Sequence, residues 1–412
     1  MSAISQSASL LAHRPFLFFW LARVGATIAM QMQAVAVGWQ MYSITGSALD
    51  LGLVGLAQFL PVMLLFLLTG HVADRYDRRM VLRICQTVEA LAVAVLAWGT
   101  FGGWITREVI LATSVVIGAA RAFEAPALSS LLPTIVSVDL FPRAVAGSAS
   151  ANQFATIAGP ALGGLVYAAN PVAAYAVSSI LFLIASILIA FVSVLIALKR
   201  RDRFQIASLF AGFSFIRRQP IVLGAISLDL FAVLLGGATA LLPIFARDVL
   251  ATDAWGLGLL RASPALGALA TSIILARWPL RTNVGRVMYA CVAVFGIATI
   301  VFAVSHSLVL SMAALAVLGA ADLISVVIRM TLVQLETPDE MRGRVSAVNA
   351  LFIGTSNQLG EFRAGVMAAF IGAVPAVLVG GVGTLLIVVA WIRLFPQLFH
   401  VDQMQATEPS RT

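Results

Sequence analysis

Charge is scarce in this chain: Asp, Glu, Lys and Arg make up only 11% of its 412 residues, while 61% are apolar. A soluble domain carries about 25% charged residues, so the composition excludes an ordinary water-exposed globule. Cysteine is scarcer still. Cys85 and Cys291 sit far apart inside apolar runs, which excludes a disulfide framework and makes two unpaired thiols the expectation. The four histidines do not cluster: His13 and His400 are terminal, His71 is in a loop and His306 in a turn. No D-D-x-x-D, H-E-x-x-H or C-x-x-C pattern occurs, so neither a metal centre nor a nucleophile with its base is expected. No enzyme and no cofactor are called for. Hydrophilic stretches are too short to house a soluble domain, which argues against a built-in nucleotide-binding cassette. The net charge of +8 has no folded basic domain behind it, so no nucleic-acid partner is expected.

Long hydrophobic runs fill the chain instead. A membrane-spanning helix needs about 20 mostly apolar residues, and twelve such runs are read at 16–42, 50–73, 80–101, 108–135, 144–168, 172–198, 220–246, 254–277, 285–305, 308–335, 346–371 and 375–395. The first is too long for a cleavable signal and lacks a small-residue cleavage site. Basic residues fix the expected orientation. With both termini and the even-to-odd loops in the cytoplasm, that side collects nineteen Lys and Arg residues, and the opposite side only Arg107 and Arg247. The positive-inside rule makes that asymmetry decisive. A multi-pass protein of the cytoplasmic (inner) membrane, in contact with its lipids, is expected.

The chain divides in the middle. Residues 199–219 form the one long hydrophilic connection, with Arg at both ends and an amphipathic centre from Phe204 to Ile216 that suits a membrane surface. The expected organisation is a six-helix bundle over 1–198, this basic linker, a second bundle over 220–400 and a cytoplasmic tail from 401 to 412. The halves are also repeats. Gly118-Ala119-Ala120 returns as Gly319-Ala320-Ala321 after 201 residues, and the same displacement carries Arg143 to Arg344, Gly159 to Gly360 and Gly164 to Gly365. Asp50, Gly55 and Pro61 return as Asp253, Gly258 and Pro264 after 203. Parallel halves of this kind are a transporter architecture, with the substrate held between them near the bilayer midplane. The expected fold is therefore an all-α membrane protein of 12 transmembrane helices in two pseudo-symmetric bundles.

Motifs sharpen the reading. Gly70-His71-Val72-Ala73-Asp74-Arg75-Tyr76-Asp77-Arg78-Arg79, between spans 2 and 3, resembles the signature loop of the major facilitator superfamily, with Asp77 where the family has a second Gly. The resemblance implies that Asp74 is the acid of a cytoplasmic gating latch, supported by Gly70, Arg75, Arg78 and Arg79. Span 5 carries Gly159-Pro160-Ala161-Leu162-Gly163-Gly164, similar to the core motif of the superfamily's exporters, with Ala155 at that motif's upstream Gly. Arg121 resembles the mid-membrane Arg of the proton-antiporter motif, followed here by Glu124-Ala125 in place of Gln-Gly. Together with Leu209–Ile216 and Thr337–Arg344, these residues make the chain resemble the 12-span drug:proton antiporters, the branch that includes the enterobactin and macrolide exporters. That resemblance implies export of a small amphiphilic molecule, drug-like or a siderophore, by proton antiport and alternating access. A lipid or lysolipid translocase of the same fold is the alternative. A monomer is expected.

Away from their ends the spans hold ten charges: Arg23, Arg121, Arg261, Arg329 and Arg363 against Glu89, Glu124, Asp229, Asp322 and Glu361. Each costs about 2.5–3.5 kcal/mol at a helix centre on insertion scales, so they must pair or line a wet cavity. With His13 and His400 terminal, His71 in the signature loop and His306 in an outer turn, no histidine lies mid-span, and a carboxylate must carry any coupled proton. Asp229 and Asp322 are the first candidates, then Glu124 and Glu361, with Arg121 as a partner three residues from Glu124 on one helix. A static ion pair is the competing role for each acid. Arg23, Gln31, Gln33, Gln153 and Gln358 are the candidates for lining the cargo cavity, since polar groups in a span need partners.

Overall fold

The computed structural model describes residues 13–194, 206–280 and 282–402, with the side chains of 66, 67, 70, 71, 73, 74 and 206–209 outside that description. Lys199, Arg200, Arg201 and Arg203 of the expected linker, Arg281, and residues 403–412 of the expected tail therefore lie outside the described residues. No strand occurs among the described residues.

Six long helices precede the linker: α1 (Arg14–Thr45), α2 (Ala48–Arg75), α3 (Arg78–Phe101), α4 (Arg107–Ile135), α5 (Phe141–Ala169) and α6 (Pro171–Ala190). Local sequence sets their ends. Pro in the first turn of α1, α5 and α6 presets the helical φ and removes a donor that would go unpaired. Asp77, Thr106 and Asn170 cap α3, α4 and α6 by accepting from backbone amides of the first turn. Gly46 closes α1 in the left-handed region, at φ 61°, which only glycine adopts cheaply. The second series runs α7 (Ile206–Arg218), α8 (Pro220–Gly236), the short turn α9 (Leu242–Ile244), α10 (Ala254–Arg277), α11 (Val284–Val304), α12 (Leu308–Leu335), α13 (Asp339–Ile371), α14 (Ala373–Leu394) and α15 (Pro396–Phe399).

Among the described residues ten helices, counting Pro220–Val249 as one, are long and apolar enough to cross a membrane by length and composition. The two further expected spans are α5 and α13, which are 29 and 33 residues long but more polar. Each of the twelve expected segments is thus helical over most of its length. The sixth stops early, α6 ending at Ala190 rather than at the expected 198. The seventh departs from the expected continuous run over 220–246. Its α-helix stops at Gly236, Gly237 turns extended, and the chain continues as a 3-10 turn (Thr239–Leu241), α9 and a π-turn (Phe245–Val249). A glycine pair followed by Pro243 makes the break cheap.

The chain forms two compact units. The first comprises Met1–Gly46, Leu56–Phe204 and Thr252–Ala262, and the second Ser47–Gly55, Gln205–Ala251 and Ser263–Thr412. Each unit therefore includes the opening turns of a helix whose remainder belongs to the other. Within the first, α1 packs on α5 and α6, and α3 packs on α4 and α6. Within the second, α8 packs on α13 and α14, and α11 packs on α12 and α14. The two schemes coincide when α8, α11, α12, α13 and α14 are matched to α1, α3, α4, α5 and α6. Repeat glycines keep their roles as well. Gly118 lies against the backbone of Gln58 in α2, and Gly319 against the backbone of Pro264 in α10.

In the second unit Leu228, Met288, Tyr289, Ile328, Leu332 and Leu398 are core residues. The amphipathic α7 docks on α8 and α13. Ile216 is buried with Val222, Ile226, Val345 and Val348, and Phe213 stacks edge-on with Phe352, the ring centroids being 6.4 Å apart. Beyond α15 the chain supplies the start of α11 with acceptors. Asn283 N–H donates to the Asp402 carboxylate at 3.0 Å, and Gly285 N–H donates to the Val401 carbonyl at 2.9 Å.

Candidate functional site

In a hydrocarbon surround, buried polar groups mark sites. In the first unit they converge on one cavity of about 190 Å³, lined by Arg23, Ala26, Thr27 and Met30 of α1, Gln86 and Glu89 of α3, Arg121, Glu124, Ala125 and Leu128 of α4, and Phe182 of α6. Helical spacing assembles it: Gln86 and Glu89, like Arg121 and Glu124, are three residues apart and share a helix face. Gln86 Nε2 donates to Glu124 Oε1 at 3.3 Å, Arg121 Nη1 donates to Gln58 Oε1 at 3.3 Å, and Arg23 Nη1 donates to Ser148 Oγ at 2.7 Å. Arg121 thus turns to α2 instead of bonding Glu124 directly. Glu89 is 1% exposed, and its Oε2 has no hydrogen-bond partner among the described residues; the same holds for Gln86 Oε1 and Arg23 Nε.

The second unit places Asp229 and Asp322 together, with Ser325, Cys291 and Phe295, around a cavity of only about 10 Å³. That is room for roughly one water. Asp229 forms an ion pair with Arg329 of α12, whose side chain is 2% exposed. The arginine that the sequence of α8 itself lacks thus comes from a helix far along the chain. Arg363 has a different task. Its Nε donates to the Leu234 carbonyl at 2.8 Å and its Nη2 to the Leu235 carbonyl, so it caps the broken end of α8. A cation suits a helix C-terminus, where unpaired carbonyls leave partial negative charge.

The remaining candidates are dispersed. Glu361 and Gln358 of α13 both face Gly55: a Cβ there would lie 3.2 Å from Glu361 Oε2 and 3.7 Å from Gln358 Oε1. Gln33 is buried with its Nε2 unpartnered among the described residues, and Gln153 is half-buried. Gln31 packs instead, its Cβ 2.6 Å from where a Cβ on Gly159 would stand. A Cβ on Gly163 would stand 2.6 Å from the Met32 Cα, and Gly164 lies against Ala254 and Gly258. The Gly159-Pro160-Ala161-Leu162-Gly163-Gly164 stretch thereby presses α5 onto α1 on one side and onto the first turns of α10 on the other.

Most of the signature stretch is helix rather than loop: Gly70, Asp74 and Arg75 lie in α2 and Arg78 and Arg79 in α3, with the surroundings of Gly70 and the side chain of Asp74 outside the described set. Arg75 is exposed. Arg78 Nη1 donates to the Ser130 carbonyl at 3.3 Å and Arg79 Nη1 to the Val192 carbonyl at 3.1 Å, tying α3 to the end of α4 and to the chain just beyond α6. Asp77 occupies the family's glycine position as the cap of α3. Its carboxylate also accepts from the Arg79 guanidinium at 2.7 Å, and that bond holds Asp77 below the usual carboxylate range.

Sequence reasoning named Arg23, Arg121 and Glu124 but gave Glu89 no role. The signal was available: Gln86 and Glu89 are polar at one-turn spacing in the otherwise apolar middle of α3. The Asp229–Arg329 pair carried no such signal.

The model of the family described as transmembrane secretion effector matches residues 5–411. The enterobactin exporter EntS of Escherichia coli (strain K12) is 24% identical over 403 residues, covering 96% of this chain and 95% of the relative. The enterobactin exporter EntS of Shigella dysenteriae serotype 1 (strain Sd197) gives the same identity and coverage. Among solved structures, a mutant of the nucleoside transporter NupG superposes with a TM-score of 0.73 at 14% identity, covering 92% of this chain and 100% of that one. A bacterial homologue of the iron transporter ferroportin gives 0.71 at 15% identity, covering 95% of this chain and 100% of the other. At such identities these structures speak for the fold alone.

Proposed function

Because the chain belongs to the transmembrane secretion effector family and has the fold of the major facilitator transporters, we propose that it exports a small amphiphilic molecule, drug-like or a siderophore, in exchange for protons. The observation that carries this reading is the cavity in the first unit. Two arginines and two glutamates from α1, α3 and α4 face one space walled by Met30, Leu128 and Phe182. Charges so placed cost too much to serve packing alone, and apolar walls with a few convergent polar groups suit an amphiphile. The enterobactin exporters among the relatives favour this over lipid translocation.

Protons would be carried by carboxylates, since no histidine lies mid-span. Glu124 in the first unit and Asp322 and Glu361 in the second are the proposed carriers, with Arg121 setting the charge around Glu124. Asp229, held by Arg329, is better suited to a structural role. The nineteen-to-two distribution of basic residues supports cytoplasmic termini. The Arg75–Arg79 loop then faces the cytoplasm, where it would latch the closed state through Asp74. Alternating access would proceed by rearrangement of the two halves.

The test is proton release from acid-interior liposomes containing the purified chain as drugs and catechol siderophores are added. Release with some compounds, lost in Glu124→Gln, is expected. No release with any compound from folded protein would overturn the reading.

A further inference from the structure

The linker helix α7 is apolar on two sides, and contacts within the protein use only one of them. Gly212 and Ile216 face inward. A Cβ on Gly212 would stand 2.8 Å from the Arg344 carbonyl, and Ile216 is buried among Val222, Ile226, Val345 and Val348. Phe210, Phe213 and Arg217 recur at three- and four-residue spacing and so share a different side. Phe210 is 69% exposed and Phe213 49%, and Ser214, Arg217 and Arg218 are exposed beside them. Phe213 meets Phe352 along one edge and is otherwise open. Two phenylalanines left open on one helix face mark an interaction surface.

Depth says what meets that surface. Phe352 and Ile226, both partners of α7, each lie six residues inside the expected starts of their spans at 346 and 220, about 9 Å along the helix. An interfacial helix buries its apolar face about 5–10 Å into the boundary between headgroups and acyl chains. α7 is therefore level with that boundary, docked sideways on α8 and α13, and its free face meets lipid.

Charge decides which lipid. Arg217 and Arg218 end the helix, and neither has an acid partner among the described residues. Lys199, Arg200, Arg201 and Arg203 precede the helix in sequence, and Asp202 is the one acid between 199 and 219. Six basic residues against one acid beside a span suit the anionic headgroups of the cytoplasmic leaflet, the side proposed above for this linker. A guanidinium takes a phosphate in a bidentate fork. We infer that the free face of α7 binds anionic phospholipid: Arg217 and Arg218 hold the phosphate, and Phe210 and Phe213 enter among the acyl chains. Lipid seated there holds α7 onto α8 and onto α13, the helix that carries Glu361 and Arg363 further along. Such binding needs neither cargo nor proton.

The experiment attaches a fluorophore to Ser214→Cys, on the free face of the full chain; Cys85 and Cys291 are buried and do not compete for it. The protein is placed in phosphatidylcholine nanodiscs containing a small, equal share of either phosphatidylglycerol or phosphatidylcholine that carries a doxyl quencher high on its acyl chain. Both lipids should quench, phosphatidylglycerol the more strongly. Its preference should fall about fivefold for each arginine lost in Arg217→Gln and Arg218→Gln, the equivalent of about 1 kcal/mol apiece, and should fall again as salt is raised. Phe210→Ser should weaken quenching by both lipids alike. Hydrogen exchange of the amides from 210 to 218 should be slower in discs that contain phosphatidylglycerol. Equal quenching by the two lipids, or a preference that survives loss of both arginines, would overturn the inference. Absence of quenching by either lipid would overturn it too, as would shielding of the fluorophore by a second copy of the chain, detected by crosslinking at the same cysteine. Inorganic phosphate that removed the preference at constant ionic strength would show a site for a free anion and equally overturn it. If an arginine variant fails to fold, the comparison of the two lipids on the chain with both arginines decides.

Discussion

Removing the buried pair in the second unit separates a structural role from a coupling role. Arg329 is 2% exposed and Asp229 8%, so neither charge has water to fall back on. Taking away one partner strands the other, at a cost of about 3–5 kcal/mol. Replacing both by apolar residues of similar volume, as in Asp229→Leu with Arg329→Met, is often neutral. Each single variant should therefore lose about 3–5 kcal/mol while the double variant stays within about 1 kcal/mol of wild type, a coupling of at least about 5 kcal/mol. Reversible unfolding in mixed micelles, read by fluorescence, measures all four corners of the cycle. A double variant as unstable as the sum of the singles would refute the pairing. The same proteins can be reconstituted. If the pair is structural, the double variant still exchanges cargo for protons. If it folds yet releases none, Asp229 is a proton carrier after all.

Other elements make narrower predictions. Gly163→Ala places a methyl 2.6 Å from the Met32 Cα and should destabilise by about 1–3 kcal/mol through overpacking of α5 on α1, seen as a lower melting temperature. Gly343→Ala, with nothing within 4 Å of the new methyl, should instead stabilise α13 by about 0.5–1 kcal/mol. Arg363→Met uncovers the carbonyls of Leu234 and Leu235 and should raise hydrogen exchange of the amides from 236 to 245; unchanged exchange would refute the cap. The Asp77 carboxylate is held below its ordinary value by Arg79. Its contribution is present above the unfolded value of about 3.9 and is lost as pH falls through the lower folded one. Asp77→Ala should therefore cost about 0.5–1 kcal/mol at pH 7, kept small by exposure, and the part owed to its charge should vanish in strong acid.

The fold was legible because a bilayer leaves few solutions. Apolar runs of about 20 residues can only be helices there, and Gly118/Gly319 and Gly164/Gly365 betrayed the repeat. What escaped was decided between helices. Gly236-Gly237 ahead of Pro243 hinted at the break in α8, but the arginine that makes the break tolerable sits in α13. The Asp229–Arg329 pair joins residues distant in sequence, and no local pattern announces it. Glu89 stood among ten charges within the spans, set apart only by its one-turn spacing from Gln86. Only the facing of α3 toward α1 and α4 shows that it shares a cavity with Arg23, Arg121 and Glu124.

In proton antiport the proton gradient drives cargo uphill. The most direct measurement is accumulation of a labelled catechol in liposomes containing only this chain, with an acid interior and no other energy source. One-for-one exchange predicts a steady-state ratio that grows about tenfold per unit of imposed pH difference and collapses when a protonophore is added. Accumulation that ignores the gradient, or none at all from folded protein, would contradict the account.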